Sequence, residues 1–129
     1  MILVDTDILV DLLRGESGTA QLLNTIASDE PLAVSIVTKM ELIVGCRNRD
    51  DLANVADLLG RFDVIPINEP SSQRAAALLQ EFRLSHGMLI PDALIAATAL
   101  MRDCALLTNN RKHFSFTPGL KLVAPTQTG

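Results

Sequence analysis

Short runs of consecutive apolar residues alternate along the chain with longer stretches in which apolar residues recur every three or four positions. A short run that ends at a polar residue is typical of a strand buried on both faces of a parallel sheet. The longer stretches place their apolar side chains on one face of a helix. The predicted strands cover residues 2–4, 32–34, 62–67, 105–108 and, at an edge, 120–123. The predicted helices cover residues 8–13, 20–27, 35–45, 50–60, 69–84 and 92–101, with a loop at 85–87.

Strands separated by one or two helices predict an α/β fold. The 129 residues, 48% of them hydrophobic, suffice for one compact domain that buries roughly two-thirds of its unfolded surface. We therefore expect a single domain over residues 1–129, in which a central, mostly parallel β-sheet is flanked by helices on both faces.

The charge balance excludes a globally basic protein that binds nucleic acid without sequence preference. Eleven Lys and Arg residues stand against fifteen Asp and Glu residues, which gives a net charge of −4. Any contact with a nucleic acid must therefore be local. Aromatic residues make up 3% of the chain, too few for a platform on which bases stack.

The pattern lacks the features of exported, membrane and zinc proteins. The segment 1–5 carries no basic leader, and Asp residues interrupt the first apolar stretch well before a membrane-spanning length. Cys46 and Cys104 lack the CxxC spacing of zinc sites. We expect a cytoplasmic protein with no membrane contact, in which both cysteines are small buried side chains.

Three acidic residues have no cation at the neighbouring helical positions. Asp5 directly follows the first strand, at the sheet edge where open α/β folds bind ligands. Glu41 lies in the middle of an apolar helix, and Asp92 opens another. If the three converge, a divalent cation would relieve their repulsion, and all-oxygen ligation suits Mg²⁺ or Mn²⁺. The alternative is that Asp5 and Asp92 cap helices and that Glu41 is solvent-exposed.

Four segments of the chain match a known family in its order: ILVDTDILVD from residue 2, SIVTKMELIVG from residue 35, PDALIAA from residue 91 and LTNNRKHF from residue 107. Over nearly its whole length the chain resembles PIN-domain ribonucleases, specifically the VapC-type toxins of toxin–antitoxin pairs. The resemblance implies an acidic pocket in which Asp5, Glu41 and Asp92 hold Mg²⁺ or Mn²⁺. Many relatives add a fourth acid where Asn110 or His113 stands here. Asn110 is therefore a candidate catalytic residue that brings no charge.

The resemblance implies hydrolysis of RNA phosphodiester bonds, in which the metal activates a water for in-line attack. Either Asp5 or Asp92 would accept the proton of that water. The candidate RNA contacts are Arg111 and Lys112, with Arg14 as a weaker third. Two further residues are candidates for supporting roles. Thr108 could orient a water or a carboxylate, whereas Asp7 is either a supporting acid near the pocket or an acid favoured by the helix dipole.

The resemblance also implies partners. A cognate VapB-type antitoxin would hold the toxin inactive, and the toxin would form a homodimer. The substrate would be RNA, with transfer RNA among the candidates. Operator DNA would be contacted only through the antitoxin, in agreement with the acidic balance of this chain.

Two other hypotheses explain part of the sequence. Asp5, Thr6 and Asp7 also resemble the start of haloacid-dehalogenase-like phosphatases, with Asp5 as nucleophile, but this interpretation leaves Glu41 unexplained. A non-catalytic PIN-like domain that binds RNA or a partner would explain the missing fourth acid.

Structural roles are expected for several other residues. The pattern places Asp11 at the surface and His86 in an exposed loop. For His113 it favours packing beside Phe114 over a contact with substrate or partner near the pocket. The methionines at positions 40, 88 and 101 are expected to fill gaps in the core.

Overall fold

The computed structural model describes residues 1–16 and 18–125. Its sheet has five parallel strands in the order β3-β2-β1-β4-β5. The strands are β1 (Ile2–Val4), β2 (Leu32–Ser35), β3 (Asp63–Ile65), β4 (Ala105–Leu107) and β5 (Leu122–Val123). The expectation of a central parallel sheet with flanking helices is confirmed, and β5 lies at the predicted edge.

Helices connect the strands. They are α1 (Thr6–Leu13), α2 (Thr19–Ala27), α3 (Ile36–Val44), α4 (Arg49–Leu59), α5 (Glu69–His86) and α6 (Ile90–Met101), and one short 3₁₀ turn spans Arg111–His113. Local sequence explains several of their ends. The side chains of Asn68 and Ser71 cap the start of α5 reciprocally, and Gly87 ends it in a left-handed conformation with φ +67°.

The strands divide the core between the two faces of the sheet, because successive side chains of a strand point to opposite faces. Leu3 of β1 and Leu106 of β4 belong to the cluster that α5 and α6 complete. Ile2 and Val4 belong to the cluster on the other face, which α1, α2 and α4 complete. The core is therefore mainly aliphatic and lies on both sides of one sheet.

The strand order places one particular crevice at the carboxyl ends of the strands. From β1 the chain first builds outward through β2 and β3, and then crosses to β4 and β5 on the other side. Neighbouring connections diverge at such a reversal, and open α/β sheets bind their ligands there. Asp5 follows β1 and Thr108 follows β4, so both residues stand at this reversal.

Several expectations about local structure were wrong. Helix α5 continues through Ser85 and His86, because no glycine interrupts residues 69–86 and the His86 ring stacks on Phe116 with 4.2 Å between centroids. Strand β3 is shorter than predicted, and α6 begins at Ile90, with a proline in its first turn.

The predicted burial of the methionines and cysteines holds only in part. Met88 is buried, whereas Met40 and Met101 are 56% and 44% exposed. They lie on parts of α3 and α6 that nothing in the described chain covers. Cys104 is buried and Cys46 is half-buried. Within the described residues, no helix combines the length and the apolar character needed to cross a membrane.

Candidate active site

Asp5 is the most firmly held carboxylate of the crevice. Its extended backbone leaves β1, and its side chain caps α1 by accepting a hydrogen bond from the Thr6 amide at 2.8 Å. The fully buried Thr108 hydroxyl donates to the other oxygen, Oδ2, at 2.7 Å. Asp5 is only 5% exposed. Both oxygens are therefore fixed by donors, as a buried carboxylate requires.

Glu41 faces Asp5 from the neighbouring helix. Ser35 ends β2 and caps α3, which brings the middle of α3 alongside α1. The Thr6 hydroxyl donates to Glu41 Oε1 at 2.6 Å and lies 2.9 Å from the Thr38 hydroxyl. Glu41 is an exposed residue, as the alternative interpretation allowed, but its carboxylate lines the crevice. Thr6 therefore links the two acids, because its backbone amide donates to Asp5 and its hydroxyl donates to Glu41.

Asp92 enters from α6, in the first turn of that helix. Its half-buried position raises the pKa of the carboxyl from 3.8 to about 6, mainly by desolvation. The charge of His113 opposes this rise, whereas the negative charges of Asp5 and Glu41 add to it. His113 Nδ1 lies 3.4 Å from Asp92 Oδ2. The three acids singled out in the sequence therefore share one electrostatic environment.

Asp7 approaches the same space from α1. Its Oδ2 accepts hydrogen bonds from the Asn109 amide at 3.1 Å and from the Asn110 side chain at 2.9 Å. Burial and the neighbouring charge of Asp5 raise the pKa of Asp7 from 3.8 to about 7. Asp11, one turn further along α1, accepts from the side chain of Asn109 at 2.9 Å. The loop after β4 is thus attached to α1 through two carboxylates.

These residues surround a crevice of about 390 Å³ at the sheet edge. Its walls consist of Asp5, Thr6, Asp7, Val10, Asp11, Arg14, Glu41, Leu89, Pro91, Asp92, Asn110 and His113. The atoms that could bind a metal here are mostly carboxylate and amide oxygens, which Mg²⁺ and Mn²⁺ prefer as ligands. Among residues 1–16 and 18–125, no three Asp, Glu, His or Cys side chains are already spaced to hold a metal ion. The mutually repelling carboxylates stand around the crevice without meeting at one point.

The structure brings most of the predicted site residues together. Asp5, Asp7, Glu41, Asp92 and Asn110 line the crevice, and Thr108 lies directly behind Asp5. The backbone nitrogen of Asn110 donates to the Thr108 hydroxyl at 2.9 Å, which orders the start of the loop after β4.

The three basic residues predicted to contact RNA do not lie where their predicted order of importance would place them. Arg111 and Lys112 lie in the exposed 3₁₀ turn and do not line the crevice. Arg14, the weaker candidate, does line it, because it follows α1 at the end facing α3.

Two more residues line the crevice, namely Asp11, which was expected at the surface, and His113, for which the favoured expectation of packing beside Phe114 was wrong. Asp11 is half-buried, and its place one turn after Asp7 was the signal that could have identified it. His113 is 42% exposed and turned towards Asp92. The 3₁₀ turn buries Phe114 in the core and leaves His113 outside it.

Comparisons with known proteins agree with this architecture. The PIN domain family matches residues 2–118. Ribonuclease VapC10 of Mycobacterium tuberculosis is 40% identical over 122 residues, which cover 94% of this chain and 91% of that protein. These matches also remove the haloacid-dehalogenase-like alternative.

Two solved structures are similar along almost the whole chain. A toxin–antitoxin complex from Klebsiella pneumoniae has a TM-score of 0.80 and 33% identity, and the match covers 99% of this chain and 100% of that one. VapBC2 from Rickettsia felis, bound to a DNA fragment from its promoter, has a TM-score of 0.84 and 25% identity, with 96% and 98% covered. The chain therefore belongs to the PIN-domain family and, within it, to the VapC group that its sequence resembles.

Proposed function

We propose that this chain is a metal-dependent endoribonuclease and the toxin of a VapBC-type toxin–antitoxin pair. The observation that carries the proposal is the convergence of Asp5, Glu41 and Asp92 on one crevice at the reversal point of the sheet. Relatives of up to 40% identity are named ribonucleases, which supports hydrolysis of RNA as the reaction.

Asp5, Glu41 and Asp92 would hold the metal, with Mg²⁺ or Mn²⁺ as the ion. Such an ion supplies Lewis-acid stabilisation of the phosphate charge and lowers the pKa of a water ligand. Thr6 and Thr108 serve the site by fixing Asp5 and Glu41 through hydrogen bonds of 2.6–2.8 Å. These donors keep the two carboxylates oriented before a cation arrives.

Asp92 is the better candidate of the two proposed proton acceptors. Both oxygens of Asp5 are engaged by donors of the fold, whereas Asp92 is 19% exposed to the crevice and has His113 beside it. In the metal-free crevice, desolvation raises the pKa of its carboxyl to about 6, so this carboxylate is more basic than an exposed one. Asp92 would therefore accept the proton of the attacking water, and His113 would stabilise the ionised carboxylate before that transfer.

Substrate binding requires positive charge beside an acidic crevice. Arg14 lines the crevice and is placed to contact an RNA phosphate. Arg111 and Lys112 lie on the adjoining exposed turn, where they could contact a longer RNA. With a net charge of −4, the chain would depend on these local contacts for RNA. Transfer RNA is one candidate substrate.

The proposed partner is a cognate VapB-type antitoxin, because similar structures are described as VapBC and toxin–antitoxin complexes. One of them is bound to promoter DNA, so we propose that this chain reaches operator DNA only through its antitoxin. The apolar side chains of Met40, Ile43 and Val44 are 42–84% exposed on α3 and would favour protein contacts. A homodimer in the cytoplasm completes the proposal.

A non-catalytic domain that binds RNA or a partner is the second candidate function. The sequence feature behind it is Asn110 together with His113, because the family resemblance implies a fourth acid at one of these two positions in many relatives. This candidate predicts RNA binding without cleavage.

The decisive experiment measures cleavage of an RNA panel that includes transfer RNAs, using antitoxin-free chain. The reactions contain Mg²⁺, Mn²⁺ or a chelator. Glu41→Gln removes the charge of one proposed metal ligand, and Glu81→Gln makes the same change at an exposed position of α5 outside the crevice.

The proposal predicts divalent-dependent cleavage that Glu41→Gln abolishes and Glu81→Gln leaves unchanged. RNA binding without cleavage by the folded parent, under every metal condition, would favour the non-catalytic candidate. Cleavage that persists in the chelator would contradict the metal-dependent mechanism.

A further inference from the structure

The carboxylate of Asp7 differs from the other crevice acids in the hydrogen bonding of its two oxygens. Oδ2 accepts two hydrogen bonds, from the Asn109 amide and the Asn110 side chain. Oδ1 is buried, and within the described residues it has no hydrogen-bond partner. A buried, unpaired carboxylate oxygen is destabilising unless another group compensates for its lost hydration.

The Asp7 carboxylate has another carboxylate as its neighbour. Asp5 lies within hydrogen-bonding reach of Asp7, yet the fold already supplies both Asp5 oxygens with donors. Two adjacent carboxylates that have no proton or cation between them repel each other. The fold therefore keeps Asp7 in a position that becomes favourable when a cation enters the crevice.

Asn110 explains how Asp7 stays in this position. Its side-chain nitrogen donates to Asp7 Oδ2 at 2.9 Å, while its backbone nitrogen donates to Thr108 at 2.9 Å. The side chain at position 110 is thus occupied in orienting the carboxylate on α1. Oδ2 is thereby engaged, whereas Oδ1 has no hydrogen-bond partner among the described residues.

We propose that Asp7 is a metal-binding residue in addition to Asp5, Glu41 and Asp92, and that Asn110 is the residue that positions it. This inference rests on the proposed function, because it concerns the same divalent cation. It assigns Asp7 a direct role instead of a supporting one.

The competing explanation is that Asp7 only anchors the loop after β4. The two explanations differ for Asp7→Asn. An asparagine at this position keeps an oxygen for Asn110 and offers an N–H to Asp5, so it relieves repulsion in the metal-free chain. If Asp7 binds metal, the variant should melt at a higher temperature without metal and bind Mn²⁺ more weakly. If Asp7 is only an anchor, Mn²⁺ affinity should fall by a few-fold at most, because one nearby negative charge is lost.

The test is a calorimetric titration of the metal-free chain with Mn²⁺, together with melting curves before and after metal addition. The variants are Asp7→Asn, Asn110→Ala and the exchange Asp7→Asn with Asn110→Asp. The control is Asp57→Asn, which removes one negative charge at an exposed position of α4 outside the crevice.

We expect Asp7→Asn to weaken Mn²⁺ binding at least about tenfold, and Asn110→Ala to weaken it less. The exchange should restore part of the affinity, and Asp57→Asn should stay within about twofold of the parent. The inference is overturned if the parent binds Mn²⁺ and Asp7→Asn weakens this binding by a few-fold at most. If the parent binds no divalent cation, the metal-dependent function itself fails together with the inference.

Discussion

The hydroxyl of Thr108 is the most sensitive structural support of the site. It donates to Asp5 Oδ2 at 2.7 Å and accepts from the Asn110 amide at 2.9 Å, and Thr108 has no exposed surface. Thr108→Val keeps the shape of the side chain and removes both hydrogen bonds. The buried Asp5 carboxylate would lose one of its two donors, and the Asn110 amide would lose its acceptor.

The expected size of the effect follows from these two bonds. A hydrogen bond to a buried charged group contributes about 1.5–3 kcal/mol, and one to a neutral amide about 1 kcal/mol. Since valine leaves no cavity, the loss consists of the missing hydrogen bonds and of the polar groups that they leave unpaired. Thr108→Val should therefore lower the free energy of unfolding by about 3 kcal/mol at pH 7.

The same chemical change elsewhere in the chain provides the control. Thr117 is also buried, but its hydroxyl has no hydrogen-bond partner among the described residues. Thr117→Val should therefore be neutral or stabilise the protein by up to about 1 kcal/mol. Urea unfolding of both variants, followed by circular dichroism, measures the difference. Equal effects of the two substitutions would refute the assignment of a special role to the Thr108 hydroxyl.

Three further predictions concern pH, backbone strain and substrate contact. The folded-state pKa values of Asp7 and Asp92, about 7 and about 6, exceed their usual 3.8, so the metal-free chain should lose stability in urea titrations as pH rises from 4 to 8. The double variant Asp7→Asn with Asp92→Asn should lose less stability between pH 4 and 8. A parent chain that gains stability over this range would contradict the raised pKa values. In thermal unfolding, Gly87→Ala should lower the free energy of unfolding by about 1 kcal/mol, because φ at this position is +67°. Gly45→Ala should not destabilise the protein, because φ there is −76°. Arg14→Gln should weaken RNA binding severalfold and reduce the salt slope of binding by about 1 without changing the melting temperature; an unchanged slope would remove Arg14 from the RNA contacts.

The frame of the fold could be predicted from the sequence because it depends on local patterns. The run Ile2–Val4 ends at Asp5, and in a parallel sheet this fixes Asp5 at the edge where ligands bind. Glu41 and Asp92 attracted attention because their own helices offer no neutralising charge. All of these signals involve residues that lie close together in the chain.

The contacts inside the crevice could not be predicted because they join distant residues. Thr108 and Asp5, like Asn110 and Asp7, are 103 positions apart. Only the parallel pairing of β1 with β4 brings them together. No periodicity in the sequence indicates that Asn110 donates to an acid on α1.

The exposure of apolar helix positions was also beyond the sequence pattern. Met40 and Met101 occur at helical spacing with core residues, so the pattern predicted burial. The sheet and neighbouring helices cover only part of each helix face, which leaves these side chains outside the core. Helical periodicity identifies an apolar face but not the width of its covering surface.

The measurement that tests the central claim most directly is single-turnover cleavage of RNA by the purified chain, with Mn²⁺ added first and then chelated. Asp92→Asn removes the proposed proton acceptor, and Asp57→Asn provides the matched loss of charge outside the crevice. The account predicts cleavage that begins with Mn²⁺, stops on chelation, falls at least about a hundredfold in Asp92→Asn and persists in Asp57→Asn. Equal cleavage by the parent and Asp92→Asn would contradict it.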